Sequence, residues 1–220
     1  MKRGCLIALA IPVVAVLGFV AGYSMLYPAY TVRYRLTVNA IADGLPHSGS
    51  SVIEMRVKTQ PQLVFDMPPW LFRISGEAVF VDLGNGRNLV AVLDPRPSRG
   101  SMAYMLPFKA FKIPFAVERA RDLGGLQGER RLEQKDWPAF VTFRNVGDPS
   151  SVESVDPKDL AKTLGDGVRI ESVIVAITQE PVTHNLAQSL PWLTAELNPQ
   201  EILALSTRQI SRGAFVRNDQ

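Results

Sequence analysis

The sequence predicts an α+β domain: a mostly antiparallel β-sheet with a few short packing helices, preceded by one N-terminal transmembrane helix. Three observations predict it. Lys2 and Arg3 precede a run from Gly4 to Leu26 that holds no charged side chain, strictly alternating segments begin at Thr31, and two helix-start signals interrupt an otherwise strand-rich second half.

The uncharged run comes first. Twenty-three residues at a helical rise of about 1.5 Å cover about 35 Å, enough for a hydrocarbon layer of about 30 Å with some tilt. A cleavable signal peptide is the alternative, with Gly22-Tyr23-Ser24 as its cleavage site, but such cores run only about 7 to 15 residues, so a retained anchor is favoured. Cys5 precedes the apolar core, where a lipid-modified cysteine would follow it. Lys2, Arg3 and the terminal amine place the N-terminus in the cytoplasm and the rest of the chain outside, in a Gram-negative cell the periplasm. Gly18 and Gly22 form a Gly-x-x-x-Gly pair, a candidate helix-dimer face. The expected organisation is an anchor and juxtamembrane segment over 1–30, an extracytoplasmic domain over 31–205 and a polar tail over 206–220 that frays.

Within the domain, Thr31 to Ala40 alternates apolar and polar residues, the mark of a half-exposed strand. Asp43-Gly44-Leu45-Pro46 turns into a second alternating run, Ser51 to Lys58, and the two form a long hairpin. A second hairpin joins Arg73–Leu83 to Arg87–Leu93 through Gly84-Asn85-Gly86, residues that tolerate positive φ. Ala78 to Val81 is apolar on both faces, which predicts a central strand. Phe140 to Arg144 reads as a strand. Asp156-Pro157 opens a short helix that Gly165 closes. Val168 to Thr178 contains Val173 to Ile177, again apolar on both faces and expected to be covered on both. Asn198-Pro199-Gln200-Glu201 starts a last helix through Leu205.

Tyr34-Arg35-Leu36-Thr37, Gly49 to Glu54, the stretch from Asp148-Pro149 to Asp156-Pro157, and Leu190-Pro191-Trp192 resemble a family of uncharacterised bacterial envelope proteins with one N-terminal membrane segment. The likeness covers most of the domain and implies an envelope location. The family carries no assigned activity or site residues.

Composition excludes several classes. The formal net charge is +3, but without Lys2 and Arg3 the 24 Lys and Arg fall to 22, against 21 Asp and Glu. A nearly neutral domain lacks the concentrated basic surface that nucleic acid demands. With Cys5 as the single cysteine, the domain has neither disulfides nor a cysteine zinc site. No nucleophile elbow, phosphate-binding loop ending in Gly-Lys-Ser/Thr, or His-Glu-x-x-His helix is present, and no cofactor or metal is expected.

His47 and His184 are the only histidines. His47, near Asp43 and beside Ser48, Ser50 and Ser51, imitates a base with a nucleophile or a metal ligand, yet turn and strand-edge roles explain these residues better. His184 reads as a residue near a helix start after Thr183. From Arg96 to Phe115 the chain carries Arg96, Arg99, Lys109 and Lys112 without an acid, while Tyr104, Phe108, Phe111 and Phe115 recur at helical spacing. This is a candidate membrane or partner patch, or an aromatic stripe packed on the sheet; Pro107 and Pro114 favour the packed stripe.

The expected function is therefore a non-catalytic, membrane-tethered binding or interaction module of the inner membrane, facing the periplasm. Its expected partners are the membrane, another envelope protein, and a second copy through the anchor. The alternative is an extracytoplasmic hydrolase using carboxylates such as Glu54, Glu77 or Asp82, since acid–base pairs leave no fixed motif.

Overall fold

A computed structural model of the chain describes Val16, Gly18, Gly22, Tyr23 and residues 25–62, 70–94, 100–115, 117–207 and 210–218. The described fold is α+β and mostly antiparallel sheet with few short helices. Among the described residues no helix is long and apolar enough to cross a membrane, and most of the expected span from Gly4 to Leu26 lies outside them. Gly18 and Gly22 are helical, and a side-chain carbon at either would meet nothing within 4 Å.

The alternating residues build a six-stranded sheet around β1 (Ala29–Ala42) and β2 (Leu45–Thr59). Asp43 and Gly44 both take positive φ, which closes a two-residue turn whose twist suits the flanking strands. The hairpin is longer than the sequence suggests, because pairing continues from Ala42↔Leu45 to Ala29↔Lys58. β3 (Trp70–Glu77) pairs with β2, β9 (Arg169–Ile177) with β1, and β6 (Glu129–Arg131) and β10 (Val216–Asn218) occupy the two edges. β6 is short and exposed throughout, and its charge discourages edge-to-edge pairing with another chain.

The second sheet orders β4 (Val79–Gly84), β5 (Arg87–Ala91), β7 (Phe140–Phe143) and β8 (Val152–Val155). The strand expected over 73–83 is thus two strands in two sheets. The break falls at Ala78, two residues after Gly76, which holds φ +140° and where a side-chain carbon would lie 3.1 Å from the Val52 carbonyl oxygen. Only glycine adopts this conformation without strain, so the chain turns away from β2 there while Gly76 and Glu77 still pair with β10. β4 then crosses β2 at Gly49, where a side-chain carbon would stand 2.1 Å from the Phe80 carbonyl oxygen.

Two cores result, one on each face of the second sheet. Val32, Tyr34, Leu36 and Val38 of β1, with Ile53, Met55 and Val57 of β2, meet Val79, Val81 and Leu83 of β4. On the opposite face Val90, Val141, Phe143 and Val152 pack against Leu186, Leu190, Trp192, Leu205, Ile210 and Phe215. Ala78–Val81 is covered on both faces, as its apolar run predicts. β9 is not: Val173 and Val175 are fully buried and Ile177 packs on the same core, whereas Ile174 and Ala176 are half-exposed on the outer side.

The helices are short. α1 spans Leu106–Ala110, α2 spans Ala161–Leu164 and α3 spans Pro199–Thr207. Asp156 accepts the Lys158 N–H at 2.9 Å and caps a turn, so the helix expected from Asp156 begins only at Ala161, ending at Gly165 with φ +84°. At α3 the expected capping box forms: Asn198 N–H donates to Glu201 Oε2 at 2.8 Å and Glu201 N–H to Asn198 Oδ1 at 3.0 Å.

The fraying expected of 206–220 is corrected over the described residues 210–218. Phe215 is fully buried, its carbonyl accepts Ala78 N–H at 2.7 Å, and the Ala214 carbonyl accepts Leu93 N–H at 2.8 Å. The average polarity of the segment conceals Ile210 and Phe215, two apolar anchors that fasten it to the second core.

Candidate functional site

Alternation along β2 decides the serine–histidine question. Neighbouring strand residues point to opposite faces, so Ser48 and Ser50 lie on the side of the sheet away from His47. Ser48 Oγ instead donates to Asn39 Oδ1 at 2.8 Å, and Asn39 Nδ2 donates to Ser172 Oγ at 2.9 Å, a polar ladder across three strands. Ser51 shares the face of His47 but is buried, and its hydroxyl has no hydrogen-bond partner among the described residues. The backbone N–H and carbonyl of Val52 are held by Thr183, which fixes the loop carrying the exposed His184.

The three candidate carboxylates are separated and each serves structure. Glu54 accepts from Arg33 Nε at 2.7 Å across the β1–β2 pair. Glu77, buried where β3 passes into β4, accepts the N–H groups of Asn185 (2.6 Å) and Leu186 (2.9 Å) through Oε2. Asp82 accepts Gly84 N–H at 2.9 Å and shapes the β4–β5 turn. Among the described residues no group of three His, Cys, Asp or Glu side chains converges to hold a metal ion.

Of the aromatic and basic stretch, Arg96 and Arg99 lie outside the described residues. Its aromatics turn inward around α1: Phe108 is 2% exposed, and Tyr104 stacks on Phe72 at 4.7 Å between centroids. Phe115 covers Trp70 and Phe72 at 5.8 and 5.3 Å, while Phe111 lies beneath the Arg130 guanidinium at 5.3 Å. Lys109 is held by Asp136 at 2.9 Å. Lys112 stands 3.8 Å from Glu133; the hydrogen bond from Lys135 and the charges of Lys135 and Lys112 hold the Glu133 carboxyl below its ordinary pKa. The cations of this stretch that are described therefore meet carboxylates of the same domain, and Tyr104, Phe108 and Phe111 pack on the first core while Phe115 stays exposed at its edge.

Register assembles a different cationic surface. On the outer face of the six-stranded sheet, Arg56 of β2 stands directly opposite Arg73 of β3, with Lys58 opposite Leu71 in the next outward pair. Like charges in directly opposed positions repel, and among the described residues neither arginine has an ion-pair or hydrogen-bond partner. These four side chains line a groove of about 140 Å³. Beside it Glu54 is taken by Arg33, and Arg35 is paired with Glu180. The groove lies at the end of the sheet where the N-terminal segment enters: Lys58 pairs with Ala29, its Nζ sits 5.5 Å from the Tyr23 ring centroid, and Thr59 N–H donates to the Pro28 carbonyl at 3.3 Å.

Further concavities are formed by the described residues. One of about 510 Å³ lies by the β4–β5 turn, where Arg87 pairs with Asp43 and Arg144 with Glu153. Another, about 300 Å³ and largely apolar, lies between α3 and the segment at 210–212, lined by Leu197, Ile202, Leu205, Ile210, Ser211 and Arg212. No protein-family model matches the chain, and no curated protein or solved structure matches it.

Sequence reasoning missed the Arg56–Arg73 surface. The signal was half visible, since outward cations alternate at Arg56 and Lys58 of β2, but the opposition to Arg73 of β3 exists only once register is known.

Proposed function

We propose that the protein is a single-pass, membrane-anchored envelope module whose domain faces the periplasm and acts by binding rather than by catalysis. The observation that carries this reading is a contrast within the domain. Glu54, Glu77, Asp82 and Ser48 are engaged in structural bonds, whereas Arg56 and Arg73, on the outer sheet face, have no side-chain partner among the described residues. Groups committed to holding the fold are poorly placed to exchange protons with a substrate, and unpaired cations on an exposed face are suited to recognition. The uncharged run from Gly4 to Leu26 supports the anchor, as do Tyr23, Tyr27 and Tyr30 at its outer end, where amphipathic rings favour the membrane–water boundary. The resemblance to envelope proteins with one N-terminal membrane segment agrees with this placement.

The test uses the full-length chain in cells. It should resist extraction by alkaline carbonate, dissolve in detergent, and carry a reporter after Gln220 that is active only outside the cytoplasm. Photocrosslinking from position 73 should then capture a defined neighbour at the membrane. Release by carbonate would sink the anchor. Turnover of a small substrate by the purified protein, abolished at one of the carboxylates, would replace binding with hydrolysis.

A further inference from the structure

We propose that the groove formed by Arg56, Lys58, Leu71 and Arg73 docks the domain onto the bilayer of its own anchor by binding the phosphate groups of anionic phospholipids. The inference rests on the anchored reading above and names the partner of the same face.

Placement, charge and shape converge on a lipid surface. Ala29, the first residue of β1, lies opposite Lys58, and Thr31 lies opposite Arg56. At about 3.3 Å per strand residue, the cations fall within about 10 Å of the point where the chain enters the sheet, inside one Debye length. Tyr23 and Tyr27 lie 4.9 Å apart at the same end, and the Lys58 ammonium sits over the Tyr23 ring. If Tyr23 occupies the headgroup layer, Lys58 does too.

Among the described residues the charges of this end of the face are Arg33, Glu54, Arg56, Lys58 and Arg73: four cations and one carboxylate, with the carboxylate taken by Arg33. Arg56 and Arg73 stand opposed with no counterion among the described residues, and a phosphate between two guanidiniums would accept hydrogen bonds from both and relieve their repulsion. Leu71, 39% exposed beside the cations, offers an apolar contact at acyl-chain depth. A soluble acidic partner would satisfy the arginines equally, but it would not account for the position of the groove beside the anchor.

The test places the full-length chain, with Cys5→Ala, in lipid nanodiscs and attaches a fluorophore at Leu71→Cys. Discs of phosphatidylcholine alone are compared with discs containing phosphatidylglycerol, both with a headgroup-linked quencher. A fluorophore at Leu45→Cys serves as reference, since the far hairpin tip is about 45 Å away along the strands. Quenching at 71, and not at 45, should rise with phosphatidylglycerol and fall at high salt. In Arg56→Gln and Arg73→Gln the ratio of docked to undocked domain should drop about fivefold for each cation removed, and further in R56E/R73E. Unchanged unfolding temperatures would show that the variants keep the fold, and the Gln pair serves if charge reversal unfolds the sheet. Equal quenching in the two compositions, in chains that remain in the discs, would overturn the docking and leave the face to a soluble acidic partner. A chain that does not enter the discs would overturn the anchored reading instead, and the docking with it.

Discussion

Glu77 Oε2 accepts the backbone N–H of Leu186 at 2.9 Å, and that single oxygen, which also binds Asn185 N–H, ties the crossover between the two sheets to the layer covering the second core. A carboxylate that begins as a catalytic candidate thus ends as a structural cap. Glu77→Ala strands two N–H groups and should cost about 2–4 kcal/mol in urea unfolding; Glu77→Gln keeps an acceptor oxygen and should cost about 1 kcal/mol. Equal losses in the two variants would contradict this role.

Gly49→Ala should be among the most damaging small substitutions in the chain, because β4 crosses β2 with the Phe80 carbonyl where the new carbon would go. The expected loss is about 3 kcal/mol, against less than about 0.5 kcal/mol for Gly124→Ala, which has open space around it. Comparable melting temperatures for the two variants would show that the sheets do not approach this closely.

Tyr34 is fully buried and its hydroxyl donates to the Ala103 carbonyl at 2.7 Å. Burial pushes its phenol far above the ordinary value of 10.0. The unfolded chain therefore releases this proton near pH 10 while the folded chain keeps it, so the contribution is complete below pH 10 and declines as pH rises further. Wild type should lose up to about 1.4 kcal/mol per pH unit above that point relative to Tyr34→Phe, which lacks the group. Parallel stability curves between pH 9 and 11.5 would refute the assignment.

Phe108→Ala should destabilise the domain by about 3–5 kcal/mol, because its ring is in the core and joins the aromatic cluster at Phe72 and Phe115. Phe115→Ala, at a residue 39% exposed, should cost less than half as much. A mild effect at Phe108 would reopen the stretch as a surface patch.

Phe215→Ala should likewise cost about 3–5 kcal/mol, since the ring meets Trp192 and Phe143 at 5.3 and 5.7 Å and is fully buried. Rapid proteolytic loss of 210–218 from the folded wild type, without further unfolding, would restore the frayed tail.

Local chemistry was legible wherever a short-range rule governs it. Alternation from Thr31 marks β1 and names its inward face, Asp43-Gly44 and Gly84-Asn85-Gly86 mark their turns through positive φ, and Asn198 with Glu201 spells out the cap of α3. The composition also bears on what the domain lacks: with no cysteine beyond Cys5, no disulfide is available to it.

Only the tertiary structure decided which residues meet. Gly76 reads as an ordinary strand residue until the close approach of Val52 shows why β3 turns away from β2 there, two residues before the chain enters the second sheet. Glu77 and Leu186 are 109 residues apart, and nothing local to either announces the bond. Phe215 sits in a segment polar on average, yet one buried ring outweighs the polarity of its neighbours. Arg56 and Arg73 are ordinary outward cations in their own strands, and only register sets them face to face as like charges. Sequence fixes periodicity, turns and caps because these depend on neighbours along the chain, whereas a site depends on neighbours in space, which pairing register and sheet crossing bring together.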